Sequence, residues 1–219
     1  MLSIMVPLYF TLIAFMPTSR SKEFITGAKA TIPMIIGAIP FGIIFGTLAE
    51  SSGLSMWGAM AMSLFVYAGS SQFIALGLLA TGVSPIIIIG TTFVVNLRHL
   101  LYATALVDKV KHLSQGWRFL LAFGLTDESF AVVNTRYSDG TDNSRAHWFF
   151  LGSIVAMYGN WQLCTWLGIG LGELFPDMTH WGLDFAMSVT FLGIVIPYLR
   201  TKPMWLAVIS AAIFALALR

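Results

Sequence analysis

The run Ser84-Pro85-Ile86-Ile87-Ile88-Ile89-Gly90-Thr91-Thr92-Phe93-Val94-Val95-Asn96-Leu97-Arg98-His99-Leu100-Leu101-Tyr102-Ala103-Thr104-Ala105-Leu106-Val107 decides the fold class. It exceeds the roughly 20 apolar residues that a bilayer crossing needs, and it places a guanidinium and an imidazole near the middle of that crossing. A charge at that depth is tolerated where it faces a protein interior or a wet cavity and finds a partner, so Arg98 marks a candidate functional site. Two similar polar interruptions sit in apolar surroundings, Tyr67-Ala68-Gly69-Ser70-Ser71-Gln72 and Leu125-Thr126-Asp127-Glu128-Ser129.

The totals agree. With 57% hydrophobic and 10% charged residues and a mean hydropathy of +0.82, too little polar surface remains to cover a soluble globule. The apolar runs have helix length rather than the ten-residue alternation of barrel strands. The expectation is an all-α, polytopic integral membrane bundle with interrupted helices and roughly six to eight apolar segments. A formal net charge of +2, spread as short clusters between apolar runs, reads as a topology signal and not as a nucleic-acid surface. The single cysteine, Cys164, lies in an apolar run with no second thiol or histidine cluster beside it, so neither a disulfide nor a metal site is expected.

Residues 1–15 are apolar without a positive n-region and read as an N-terminal extension, leaving residues 16–219 as one transmembrane transport domain. The first convincing span, Thr31 to Ala49, contains Pro33, Gly37, Pro40, Gly42 and Gly46. Pro33, Pro40 and Gly42 are candidate helix breaks, while Gly42 and Gly46 equally suit a small-xxx-small packing face. Ser55 to Thr81 is too long for one straight crossing and carries Gly69 as a further candidate break. On an unbroken helix Ser63, Tyr67, Ser70 and Ser71 share a face with Gln72 well off it, either lining a substrate path or marking a kink.

In the central run Thr92, Asn96 and His99 fall on one face, and Thr91, Arg98 and Tyr102 on another. Arg98 then needs an acidic neighbour, for which Asp127, Glu128 and Asp184 are available. His99 reads either as a satisfied core residue or as a proton carrier. Two adjacent carboxylates at depth would not both stay ionised without a cation: one holds a proton, or one pairs with Arg98 or a coupling ion. If the segment lies shallow instead, Thr126 and Asp127 cap a helix. Downstream, Asn160 is a possible pore-lining group, and Trp181 to Leu199 and Pro203 to Leu218 form the last two spans, the first kinked at Pro197.

Charge clusters constrain the topology. With Arg20, Lys22 and Lys29 inside, single crossings would leave the basic stretch Asp108 to Arg118 outside, against the positive-inside rule. The conflict disappears if Ser55 to Thr81 turns back at Gly69-Ser70-Ser71, and a similar turn near Asp127 brings Arg200 and Lys202 inside.

Four motifs in order, Ile39-Pro40-Phe41-Gly42-Ile43-Ile44-Phe45-Gly46, Tyr67-Ala68-Gly69-Ser70-Ser71-Gln72-Phe73, Asn96-Leu97-Arg98-His99-Leu100-Leu101-Tyr102 and Leu125-Thr126-Asp127-Glu128-Ser129-Phe130-Ala131, resemble the AzlC-type branched-chain amino acid permeases. The likeness runs from about Arg20 to the C-terminus. It implies the large subunit of a two-component exporter in the bacterial cytoplasmic membrane, working with a small AzlD-type membrane subunit and driven by a proton or ion gradient. No cofactor is implied, and the chain has no Gly-rich phosphate loop.

A zwitterionic aliphatic substrate needs an acceptor for its ammonium, donors for its carboxylate and an apolar slot. Candidate substrate contacts are Tyr67, Ser70, Ser71, Gln72, Asn96, Arg98 and Asp127; candidate proton or ion carriers are His99, Asp127 and Glu128. A rival of another class, an intramembrane serine hydrolase, would pair Ser70 or Ser71 with His99, although no Gly-x-Ser-x-Gly elbow surrounds either serine. A passive channel or a non-transporting scaffold subunit is the third reading.

Overall fold

The computed structural model describes residues 19–138, 144–174, 199 and 201–217, all helical apart from short connections. Among them the chain forms α1 (Arg20–Ala30), α2 (Ile32–Ser51), α3 (Met56–Phe65), α4 (Gly69–Ala80), α5 (Pro85–Asn96), α6 (Arg98–Val110), α7 (Gln115–Phe123), α8 (Asp127–Ser138), α9 (Ala146–Leu174) and α10 (Lys202–Ala217). These fall into two compact units, one within residues 1–175 and one within 176–219. In the second, the Trp205 indole N–H of α10 donates to the Leu199 carbonyl at 3.1 Å. Residues 1–15, Asp184 and Pro197 lie outside the described residues.

Two long helices form the spine of the first unit. α1 and α2 meet at Thr31, whose N–H reaches Gly27 O at 3.2 Å and whose carbonyl receives Ile35 N–H at 2.9 Å. α9 lies alongside. A Cβ on Gly27 would strike the Phe149 carbonyl and one on Gly152 the Phe24 carbonyl; higher up, Gly46 faces the Thr165 carbonyl and Gly168 the Ile43 carbonyl. Partner numbers rise together, so α1–α2 and α9 run parallel with their backbones in contact, the packing that small residues permit in membranes. Hydroxyls cross the seam, Thr31 Oγ1 donating to Ser153 Oγ at 2.7 Å and Thr47 Oγ1 to Gly168 O at 3.0 Å.

This corrects the expected breaks in the first span. α2 begins just before Pro33, which occupies its first turn, and runs unbroken through Pro40 and Gly42 to Ser51. Proline in the first turn forfeits only an N–H that has no intrahelical partner, and α9 holds the helix together past Pro40. Gly42 is a packing position, with room for no more than hydrogen opposite Cys164 Cβ.

The interrupted segments are two helical hairpins. α3 descends from the C-terminal end of α2, reaches Thr165 of α9 through Ser63 and Tyr158 through Leu64, and stops. α4 then climbs back, with Gly69 against Trp161 and Phe73 against Phe41 and Phe45. At 1.5 Å per residue neither arm exceeds about 18 Å, too short for a hydrocarbon core of about 30 Å.

α7 and α8 do the same from the other end. Trp117 sits on His147 and Trp148 at the start of α9, Gly124 reaches Ile154, and Arg136 of α8 returns to pair with Glu23 at 3.4 Å and to cover the Phe149 ring. Leu106, Leu121, Leu125, Val133, Tyr137, Phe149, Phe150 and Ile154 make the core of this half.

Between the hairpins α5 and α6 form a crossing that is continuous but for a tight turn at Leu97, whose neighbours close i to i+3 bonds, Leu97 N–H to Val94 O at 3.2 Å and Leu100 N–H to Leu97 O at 3.0 Å. Ile32–Ser51 and Pro85–Val110 are long and apolar enough to cross a membrane. The basic residues Arg20, Lys111, Arg118, Arg136 and Arg145 gather at the end where α9 starts, while the connections 52–55 and 81–84 at the opposite end carry no charge.

Candidate functional site

The two hairpin tips meet the middle of the central crossing. At the first tip Tyr67 has φ +26°, a backbone conformation unfavourable for a residue with a β-carbon. Ala68 is extended and begins α4 without a side-chain cap. The turn thus falls at Val66 to Ala68, just before the expected Gly69, which is the first helical residue. The N–H groups of Gly69, Ser70 and Ser71 open α4, and a helix N-terminus of this kind favours anions. Ser71 Oγ donates to Asn96 Oδ1 at 2.7 Å, and Arg98 Nη2 donates to Ser70 Oγ at 2.7 Å.

The second tip is built in the opposite sense. Thr126 N–H donates to Ser129 Oγ at 2.8 Å and Ser129 N–H to Thr126 Oγ1 at 3.3 Å, a reciprocal cap that satisfies the start of α8 from within. Asp127 Oδ2 then pairs with Arg98 Nη1 at 2.7 Å, and Asp127 Oδ1 accepts the Tyr102 hydroxyl at 2.6 Å. The expected partnership of Asp127 with Arg98 is present, whereas the cap is made by Thr126 with Ser129 and not, as the capping reading had it, by Thr126 and Asp127. With side chains 25% and 38% exposed the pair is only partly desolvated, and its net worth is about 1 kcal/mol.

α9 holds the first tip open. The carbonyls freed where α3 ends are taken by its side chains, Ser63 O by Gln162 Nε2 at 2.9 Å and Leu64 O by Tyr158 OH at 3.0 Å. Ser63 and Thr165 share a buried hydroxyl bond of 2.7 Å. Trp161 Nε1 donates to Gln72 Oε1 at 3.0 Å, so Gln72 faces the protein interior; the off-face placement assumed an unbroken helix. Sequence reasoning passed over these α9 residues, although Tyr158, Gln162 and Thr165 at i, i+4 and i+7 form a polar stripe that was there to be read.

A recess of about 170 Å³ opens between the tips, lined by Val66, Tyr67, Ala68, Asn96, His99, Ala122, Phe123 and Leu125. His99 Nδ1 lies 3.0 Å from the Asn96 carbonyl oxygen, and its ring meets Tyr102 edge-on. The hydroxyl partners of Ser70 and Ser71 are Arg98 and Asn96, so no serine–histidine pair forms among them. Among the described residues five buried polar atoms have no hydrogen-bond partner: Tyr67 OH, Gln72 Nε2, Arg98 Nε, Asn160 Nδ2 and Gln162 Oε1. Cys164 is buried against Gly42. No group of three or more His, Cys, Asp or Glu side chains suited to a metal occurs among the described residues.

Opposed half-helices around a polar centre, packed between helices long and apolar enough to cross a membrane, are the architecture of a helical membrane protein. The AzlC protein family model matches residues 33–175, and the chain belongs to the AzlC family. It is 33% identical over 202 residues to an uncharacterized membrane protein of Archaeoglobus fulgidus, covering 89% of this chain and 84% of that protein. Inner membrane protein YgaZ of Escherichia coli is 30% identical over 206 residues, covering 92% and 83%. Branched-chain amino acid transport protein AzlC of Bacillus subtilis is 30% identical over 170 residues, covering 76% and 64%. No solved structure matches the chain.

Proposed function

We propose that this chain is the large subunit of a gradient-driven exporter of branched-chain amino acids in the bacterial cytoplasmic membrane, acting with a small AzlD-type membrane subunit. The observation that carries the reading is the meeting of an uncapped helix start at α4 with the Arg98–Asp127 ion pair, beside a recess between the two tips. A zwitterion needs opposite charges a few ångströms apart, and the two tips offer them. The name of the Bacillus subtilis relative supports the substrate class.

In this reading the free N–H groups of α4, with Ser70 and Arg98, receive the substrate carboxylate, and Phe123, Leu125 and Ala122 face its aliphatic side chain. His99 and the acidic start of α8 carry the coupling proton or ion. The basic end of α9 faces the cytoplasm.

Retention of labelled valine, leucine and methionine in preloaded cells tests this. Cells would express this chain alone, the small partner alone, or both, with and without an uncoupler. Uncoupler-sensitive loss of label with both chains present is the expected result. Equal retention in every combination rejects the reading, and loss that only equilibrates the solute indicates a channel.

A further inference from the structure

One ring nitrogen of His99 is committed and the other is free. Nδ1 lies 3.0 Å from the Asn96 carbonyl oxygen. A carbonyl only accepts, so the proton of the neutral imidazole sits on Nδ1 and the lone pair of Nε2 stays available. No hydrogen bond among the described residues engages Nε2. The ring stands edge-on to Tyr102, with centroids 5.9 Å apart, and His99 lines the recess between the tips.

The rest of that lining suits a cation with hydrogens to give. Tyr67 is only 7% exposed and its hydroxyl has no partner, a polar group that is costly to bury unmet. Val66 caps the C-terminal end of α3, and a helix C-terminus favours positive charge. His99 is the one recess residue whose type changes charge near neutral pH. Titratable side chains on the surrounding elements are Tyr67 at the first tip, Arg98 and Tyr102 on α6, and Asp127 and Glu128 at the start of α8. Asp127 is engaged by Arg98 and Tyr102. α5 and α7 bring only Asn96, Ala122 and Phe123 to the recess.

We propose that His99 Nε2 accepts a hydrogen bond from the primary ammonium group of the substrate, with the Tyr67 hydroxyl as a second acceptor, and that the coupling proton binds this same nitrogen. Proton and amino acid then exclude one another, one for one. With Nε2 protonated the ring has lost its lone pair and carries a charge that repels the ammonium. Nδ1–H keeps its bond to Asn96 in both states, so the exchange needs no turn of the ring. A proton arriving from outside displaces the amino acid outward, and its release to the cytoplasm frees Nε2 for the next molecule. One proton enters for each amino acid that leaves. This assignment rests on the reading of the site as one for amino acids.

The test is counterflow at controlled pH. Cells expressing both subunits are preloaded with unlabelled valine and take up labelled valine in the presence of an uncoupler, so that both sides share one pH. Between pH 7.5 and 5.5 acid should raise the half-saturation for valine and leave the maximal rate unchanged, with a limiting slope of about tenfold per pH unit for one proton against one substrate. His99→Gln keeps a neutral acceptor that cannot take the proton. It should raise half-saturation severalfold at pH 7.5, flatten its dependence on pH, and leave exchange running while uncoupler-sensitive export is lost. His99→Ala lacks the acceptor as well, and half-saturation at pH 7.5 should rise about 10- to 100-fold, the range for a hydrogen bond to a charged group. Tyr67→Phe should show a smaller rise, equal at every pH.

Acid that lowers the maximal rate without moving half-saturation overturns the proposal, and needs no variant to fold. The full pH dependence surviving in His99→Gln overturns it too, by moving the competing proton to another group. Absence of valine counterflow in the unaltered protein at any pH sinks the amino-acid reading itself, a result distinct from either.

Discussion

The two helical hairpins have nearly the same outline and opposite chemistry. α3–α4 and α7–α8 each break within three residues, yet α4 starts on an alanine with no cap and α8 on a threonine–serine pair that caps it from both sides. The first tip therefore keeps free donors and borrows Arg98, whereas the second satisfies its own donors and carries carboxylates. Opposite preferences for charge can thus be set by one capping residue on otherwise similar scaffolds.

The comparison breaks most visibly at the ion pair joining the tips. Arg98→Gln or Asp127→Asn alone leaves an unmatched charge at depth and should abolish export. The stability loss should be about 1–3 kcal/mol, less than for a fully buried pair because both side chains are partly exposed. The double variant should be more stable than either single one in detergent thermal unfolding; additive losses would mean the two residues do not act as a pair.

Next in size, Trp161→Phe removes the donor to Gln72 and strands a buried amide, at a cost of about 1–2 kcal/mol. Export should weaken with it, because Gln72 lies on the first turn of α4. Ser129→Ala removes the reciprocal cap of α8 for about 1 kcal/mol, and half-saturation for valine should hold, since that cap faces no substrate. The smallest effect sharpens the contrast. Ala68→Ser gives α4 the cap it lacks, so stability should rise by a few tenths of a kcal/mol and valine should bind severalfold more weakly as the hydroxyl competes for the open N–H groups. Unchanged valine binding would show that those N–H groups do not receive the carboxylate.

The Arg98–Asp127 pair was legible in the sequence. An arginine inside an apolar run demands a carboxylate in apolar surroundings, and Asp127 was among very few available. The turning back of the first interrupted segment followed from charge: reversal there keeps the basic stretch between α6 and α7 on the side of Arg20, whereas the turn near Asp127 was expected from Arg200 and Lys202.

What escaped prediction depended on neighbours. Pro33 and Pro40 look like breaks because proline removes an N–H, but the glycine seam with α9 supports the helix that carries them. Gly69 is the residue whose freedom suggests a break, while the turn falls at Tyr67 and Ala68; Tyr67, with φ +26°, has its ring against Tyr158 of α9. Helix-face arithmetic also assumed continuity, so it turned Gln72 away from the interior where it makes its bond with Trp161.

The seam itself reads alike from either helix. Gly27 faces the Phe149 carbonyl as Gly152 faces that of Phe24, and Gly46 faces the Thr165 carbonyl as Gly168 faces that of Ile43. Sliding one helix past the other by a residue would drive a side chain into a carbonyl at all four places, whereas rolling one about the other opens the contacts gradually. The spine is therefore stiff to translation and yielding to rotation: an axle rather than a rail, with the two hairpins mounted at its opposite ends.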